Sequence, residues 1–110
     1  MLMAATIKPI ESLQGLNEIF SASRTGPVIL FKHSAACGIS AHIFEMLSSI
    51  NAVINLVVVQ NHRDVSNEIE SLTGYRHHSP QAFVIRDAKV VYHATHYAID
   101  PVEIESHLSS

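Results

Sequence analysis

Leu13, Leu16, Ile19 and Phe20 recur at helical spacing, so the chain opens with an amphipathic helix over about Ser12 to Ala22, broken by Thr25-Gly26-Pro27. Val28-Ile29-Leu30-Phe31 is apolar without alternation, as a strand covered on both faces is. Ile39, Ile43, Met46, Leu47 and Ile50 return to helical spacing and predict a second helix from near Cys37 to near Ile50. Ile54 to Val59 is rich in β-branched residues and predicts another buried strand. Asp64 can cap a third helix, with Val65, Ile69 and Leu72 on its inner face and Gly74 at its end. Ala82 to Ile85 and Val90 to Tyr92 flank Arg86-Asp87-Ala88-Lys89 as a β-hairpin. Asp100-Pro101-Val102-Glu103 then has the form of a capping box, with Ile99 and Ile104 as its hydrophobic staple, and starts a short last helix.

A strand-helix-strand connection is right-handed, which makes the first two strands parallel, and the hairpin adds antiparallel pairing. The compact solution is an α/β fold with a mixed four-stranded sheet and helices on both faces, the thioredoxin-like arrangement. At 110 residues the chain makes one such domain, residues 1–110.

Composition narrows the function. Hydrophobic residues make up 47% and charged residues 15%, which fits a packed core and not a disordered chain. A net charge of -3 with no basic run gives no footprint for nucleic acid. The apolar runs are too short to span a bilayer, and the start, MLMAATIKPIES, has no secretory pattern. A single cysteine can form no internal disulfide, and the expected setting is a reducing cytoplasm with the protein a monomer.

That cysteine, Cys37, lies where the first buried strand has ended and the second helix begins. Unpaired backbone N–H groups and the positive end of the helix dipole favour a thiolate at such a position. Ser40, three residues on, occupies the place a resolving cysteine would take in a C-x-x-C pair. A serine there can donate a hydrogen bond to the thiolate and cannot close a disulfide. Such a site attacks a mixed disulfide, carries the adduct, and needs an outside thiol to finish. The alternative is a small buried cysteine that packs and does nothing else.

The second signal is Ser79-Pro80-Gln81, directly before the hairpin. Proline cannot donate to a sheet ladder and belongs at the first residue of a strand or on an edge. In the thioredoxin-like architecture a proline here is typically cis and faces the active cysteine, leaving the preceding backbone able to hold an extended substrate. An ordinary trans turn proline is the alternative.

FKHSAACGIS, VVVQNHRDVSNEI, HHSPQAFVI and KVVYHATHYAI together resemble the monothiol bacilliredoxin family, thioredoxin-fold proteins of the bacillithiol system. The resemblance runs from about Val28 to Leu108 and is carried by K-H-S before the cysteine, C-x-I-S, R-x-x-S-N and S-P-Q, in that order. It implies a thiol–disulfide oxidoreductase that removes a small thiol from S-thiolated client proteins. Cys37 would be the attacking residue, assisted by Ser40, and Pro80 the cis-proline, with Ser79 and Gln81 beside it at the client. The small thiol, bacillithiol or a similar molecule such as glutathione, would be a co-substrate, with no further cofactor. Two departures stand out: Gly38 where the family usually has proline, and His77-His78 in place of the more usual His-Glu.

The eight histidines raise the question of a metal. His93-x-x-His96 has a ligand spacing, but zinc needs about four converging ligands and the histidines are spread over strands, loops and helices. The expectation is therefore no metal. His42, His62 and His107 are expected to face solvent. His33, His77, His78 and His96 are candidates to tune the thiol, His33 first, as an imidazolium stabilising the thiolate or an imidazole shuttling its proton.

Overall fold

The computed structural model describes residues 4–109. Its elements are β1 (Thr6–Pro9), α1 (Leu13–Ala22), β2 (Val28–His33), α2 (Gly38–Leu47), β3 (Val53–Val58), α3 (Arg63–Thr73), β4 (Gln81–Arg86), β5 (Lys89–Thr95) and α4 (Pro101–Leu108), with a 3-10 turn, His96–Ala98, between the last two. The sheet has five strands, not the expected four, in the order β1-β3-β2-β4-β5. The extra strand is a short edge piece, largely exposed and closed by Pro9, so neither alternation nor a buried run marks it in the sequence. It pairs parallel with β3, β3 pairs parallel with β2, and β4 and β5 add antiparallel.

Side chains alternate across the central strands and feed two cores. Ile29 and Phe31 of β2 point to one face, where Ile43 and Leu47 of α2 and Ile104 of α4 cover them. Leu30 points to the other face, against Leu16 and Ile19 of α1 and Val65 and Ile69 of α3. Leu13, Met46 and Leu72 lie at the margins of their helices' apolar arcs and are exposed, against the expectation that they face inward.

The helix ends follow local chemistry with three changes. Ser12 caps α1, accepting from Gly15 N at 3.0 Å. His62, not Asp64, is the N-cap of α3, and Asp64 sits in the first turn, where its charge suits the dipole. Gly74 ends α3 in the left-handed region, φ 77°, as its position implies. The second helix stops at Leu47, short of Ile50. At α4, Asp100 accepts from Val102 N at 2.9 Å, while its own N–H donates to Tyr92 Oη at 3.1 Å. Tyr92 thus does what Glu103 would do in a closed capping box. Asp87 and Ala88 turn the hairpin with φ of 54° and 61°, the pair of positive values a two-residue type I′ turn needs.

Candidate active site around Cys37

Strand register brings the candidate residues to one end of the sheet. The last residues of β2 pair with the first of β4, Lys32 with Gln81, and Gln81 pairs in turn with Thr95 at the end of β5. The start of α2, the Ser79–Pro80 bond and the 3-10 turn therefore share that end, outside the carboxyl ends of β2 and β3. The turn packs on α2, where the rings of Tyr97 and His42 approach to 6.4 Å, and His96 N donates to Pro80 O at 3.0 Å. The Ser79–Pro80 peptide is cis, and Pro80 is buried.

Cys37 is the N-cap of α2, with extended backbone (φ -113°, ψ 120°), half-buried and in no disulfide. Its side chain makes no capping hydrogen bond to the helix amides. The loop before it is braced from β3's end: Gln60 Oε1 accepts from Ala35 N at 3.1 Å, and Gln60 Nε2 donates to Ser34 Oγ at 2.7 Å. Gln60 was not singled out from the sequence. Its one signal there is an amide directly after a β-branched run.

Ser40 departs from expectation. Its hydroxyl is buried, accepts from Ser34 N at 3.0 Å and lies 2.8 Å from His33 Nδ1. Ser40, Ile43 and Leu47 form the inward stripe of α2, whereas Cys37 stands just outside the helix on extended backbone. The serine therefore ties the first turn of α2 to the end of β2, and its hydroxyl is directed there instead of at the thiolate. His33 is drawn into the same knot and packs against Phe44, ring centroids 5.4 Å apart. Burial pushes its pKa below 6.5, which disfavours the imidazolium expected to stabilise the thiolate.

Gln81 also differs from its expected role at the client. Its side chain is fully buried and bonded to the 76–78 backbone and to His93, so it shapes the loop from beneath and does not reach outward. Ser79 is half-buried, and His78 is exposed with its ring edge-on to His96 at 5.5 Å. His77 turns to α3 instead: its N–H donates to Glu70 Oε1 at 2.9 Å and its Nδ1 lies 3.3 Å from Ser66 Oγ. Desolvation and then the nearby Lys32 ammonium push it below its ordinary pKa. His42 is exposed, as expected, but His62 is half-buried and His107 packs on Tyr92 at 5.5 Å. His93 and His96 go to different partners, and among the described residues no three of His, Cys, Asp and Glu form a group fit to hold a metal.

No described helix is long and apolar enough to cross a membrane. The chain is similar in fold to a candidate oxidoreductase with a thioredoxin fold, at 24% identity and TM-score 0.85 over 93% of each chain. It is similar also to the thioredoxin of Malassezia sympodialis, at 14% identity and TM-score 0.72 over 99% of this chain and 93% of that one. A thioredoxin of Nicotiana alata matches at 12% identity and TM-score 0.73 over 96% and 92%. Residues 8–104 match the family model of the monothiol bacilliredoxin BrxC. The match takes in the thiol, the Ser79–Pro80 bond and all five strands but the first two residues of β1, and the chain belongs to the monothiol bacilliredoxin BrxC family.

Proposed function

We propose that the protein is a monothiol thiol–disulfide oxidoreductase of the cytoplasm that removes bacillithiol from S-thiolated client proteins. The observation that carries this reading is the half-buried N-cap thiol of Cys37, unspent on capping, at the sheet end that also bears the Ser79–Pro80 loop. The dipole of α2 favours negative charge on that sulfur. The Cys37 thiolate attacks the bacillithiol sulfur of the mixed disulfide, forming one S–S bond and breaking the other. The client leaves as a thiolate and takes a proton from solvent or from a neighbouring histidine. A second bacillithiol thiolate then attacks the bacillithiol sulfur on Cys37, releasing the Cys37 thiolate and a small-molecule disulfide. With Ser40 committed to His33 and Ser34, the outside thiol resolves the adduct.

In this reading the backbone at Ser79, beside Pro80, lines up an extended client segment, and Gln81 keeps that backbone in place. His78 and His96, edge to face next to the loop, handle the proton at the exchanging sulfurs. No metal or prosthetic group takes part.

Intact mass spectrometry of the reduced protein, mixed with a client carrying either bacillithiol or glutathione in mixed disulfide, tests this. The expected result is one bacillithiol-sized adduct on the protein with the client released, and no adduct on Cys37→Ala. Transfer of glutathione alone would keep the chemistry and reassign the small thiol. No transfer of either, with Cys37 still open to alkylation, would overturn the exchange reading in favour of a binding module.

A further inference from the structure

The backbone leading into Ser79–Pro80 is held by the buried Gln81 amide, on either side of the His77 N–H that Glu70 Oε1 accepts. Gln81 Nε2 donates to Arg76 O at 2.9 Å, and its Oε1 accepts from His78 N at 3.3 Å. These two backbone partners decide the orientation of the amide, because a carbonyl requires the NH2 end and an N–H requires the oxygen. The same Nε2 lies 2.9 Å from His93 Nε2. That ring nitrogen faces a donor and must be an acceptor, so His93 is neutral with its proton on Nδ1.

A proton on His93 Nε2 would set N–H against NH2. Turning the Gln81 amide over would restore that contact and break both backbone bonds. The ring has little freedom to turn away, since Tyr75 stacks on it at 3.8 Å between centroids and Phe83 packs at 5.1 Å. The charged and titratable groups around this loop are Lys32 of β2, Arg63 and Glu70 of α3, Tyr75, Arg76, His77 and His78 of the loop itself, and His96 of the 3-10 turn. His78 is the one that acts on His93, and it opposes a charge there, adding to the effect of burial.

We infer that His93 is a positioning residue, which as a neutral acceptor locks Gln81 and through it the His78–Ser79 backbone in its client-binding form. Its protonation releases that backbone. The order of the loop is present above the pKa of His93 in the folded protein and is lost as pH falls through it. The consequence for clients rests on the thiol-exchange reading; the tautomer and its hold on the loop do not.

Long-range proton–nitrogen NMR of the labelled protein reads the His93 tautomer directly. At about pH 8 the proton is expected on Nδ1, and on acidification toward about pH 5 the His78 and Ser79 amide signals should move with the charging of His93. His93→Phe, which keeps the stacking surface, should place those amides near the acid position at every pH. His93→Gln, which offers an acceptor that does not titrate, should hold them at the neutral position throughout. In exchange assays His93→Phe should raise KM for the client about fivefold, more than it lowers kcat, the scale of one lost hydrogen bond. A proton on Nε2 at about pH 8, or amide titrations in His93→Phe identical to wild type, would overturn the inference. An unchanged KM would overturn its bearing on clients. Absence of exchange with every client would count against the thiol-exchange reading, and the NMR outcome would still decide the role of His93.

Discussion

Lys32 is fully buried at the end of β2, with its Nζ donating to Ser66 O at 3.1 Å and the Glu70 carboxylate near enough to favour its charge. Burial outweighs that help and lowers its pKa from 10.5 to about 8. The ammonium is charged in both folded and unfolded chains below about 8, so its burial cost is then fully present. As pH rises from about 8 toward 10.5 the folded form loses its proton first, and stability rises. Lys32→Met is therefore expected to be more stable than wild type near neutral pH, by on the order of 1–3 kcal/mol. That advantage should shrink through the alkaline range when urea midpoints are followed against pH. A destabilised Lys32→Met at neutral pH would show that the Ser66 bond and the Glu70 charge outweigh the burial. In the sequence Lys32 reads as part of a K-H-S motif beyond the end of a strand. Its burial depends on α3 lying across the end of β2, and no residue near Lys32 in sequence records that.

Among the elements, α2 is the one whose start bears the thiol of the proposed exchange. Gly38 is its first residue, and a Cβ there would meet nothing within 4 Å. The N–H of a first-turn residue has no partner within the helix, so proline costs no helical bond at that position. Gly38→Pro is expected to stabilise the protein by about 0.4–1 kcal/mol, chiefly by restricting the unfolded chain. Thermal unfolding would check it, and a lowered midpoint would mean that the loop from Ser34 to Cys37 needs the freedom of glycine. The helix periods, the Gly74 stop and the Asp100 cap were legible because they arise between residues close in sequence, though the α3 N-cap is His62 and not the expected Asp64. The exceptions have the opposite origin. β1 is a strand only because β3 offers it an edge, and the α4 cap is completed by Tyr92, eight residues before Asp100. Ser40 lies a helical turn from Cys37 in sequence, yet its hydroxyl sits on the inward stripe it shares with Ile43 and meets His33 and Ser34, which come from the end of β2 and the residue after it.

For the molecule as a whole, the histidines set the response to acid. Burial holds His33, His77 and His93 below 6.5, with Lys32 and His78 adding to the effect at His77 and His78 at His93. Lowered histidine values mean that the unfolded chain binds the extra protons first as pH falls. Their contribution is complete above 6.5 and is lost as pH drops from 6.5 through the folded values. Urea midpoints should be level between about pH 7 and about pH 8, where the Lys32 rise begins, and fall toward about pH 5, before most carboxylates titrate. Removing one of these histidines, as in His93→Phe, should make the fall shallower. Midpoints level down to about pH 5 would mean that the three rings accept protons in place.

The pattern of apolar positions determined the helices, the two central strands, the hairpin and the mixed parallel and antiparallel sheet, because each rests on a local period or turn. The same reading picked out Cys37 and Ser79-Pro80 as the residues at the ends of buried strands where function collects. Tertiary structure alone decided which groups those residues meet. It turned Ser40 and His33 toward each other, buried Lys32 under α3, and set Gln81 between Arg76, His78 and His93. Hydrogen bonds of this kind join atoms from separate elements, and their partners follow from strand register and helix packing. A one-dimensional pattern can mark the residues that need a partner, but only the folded chain brings the partner to them.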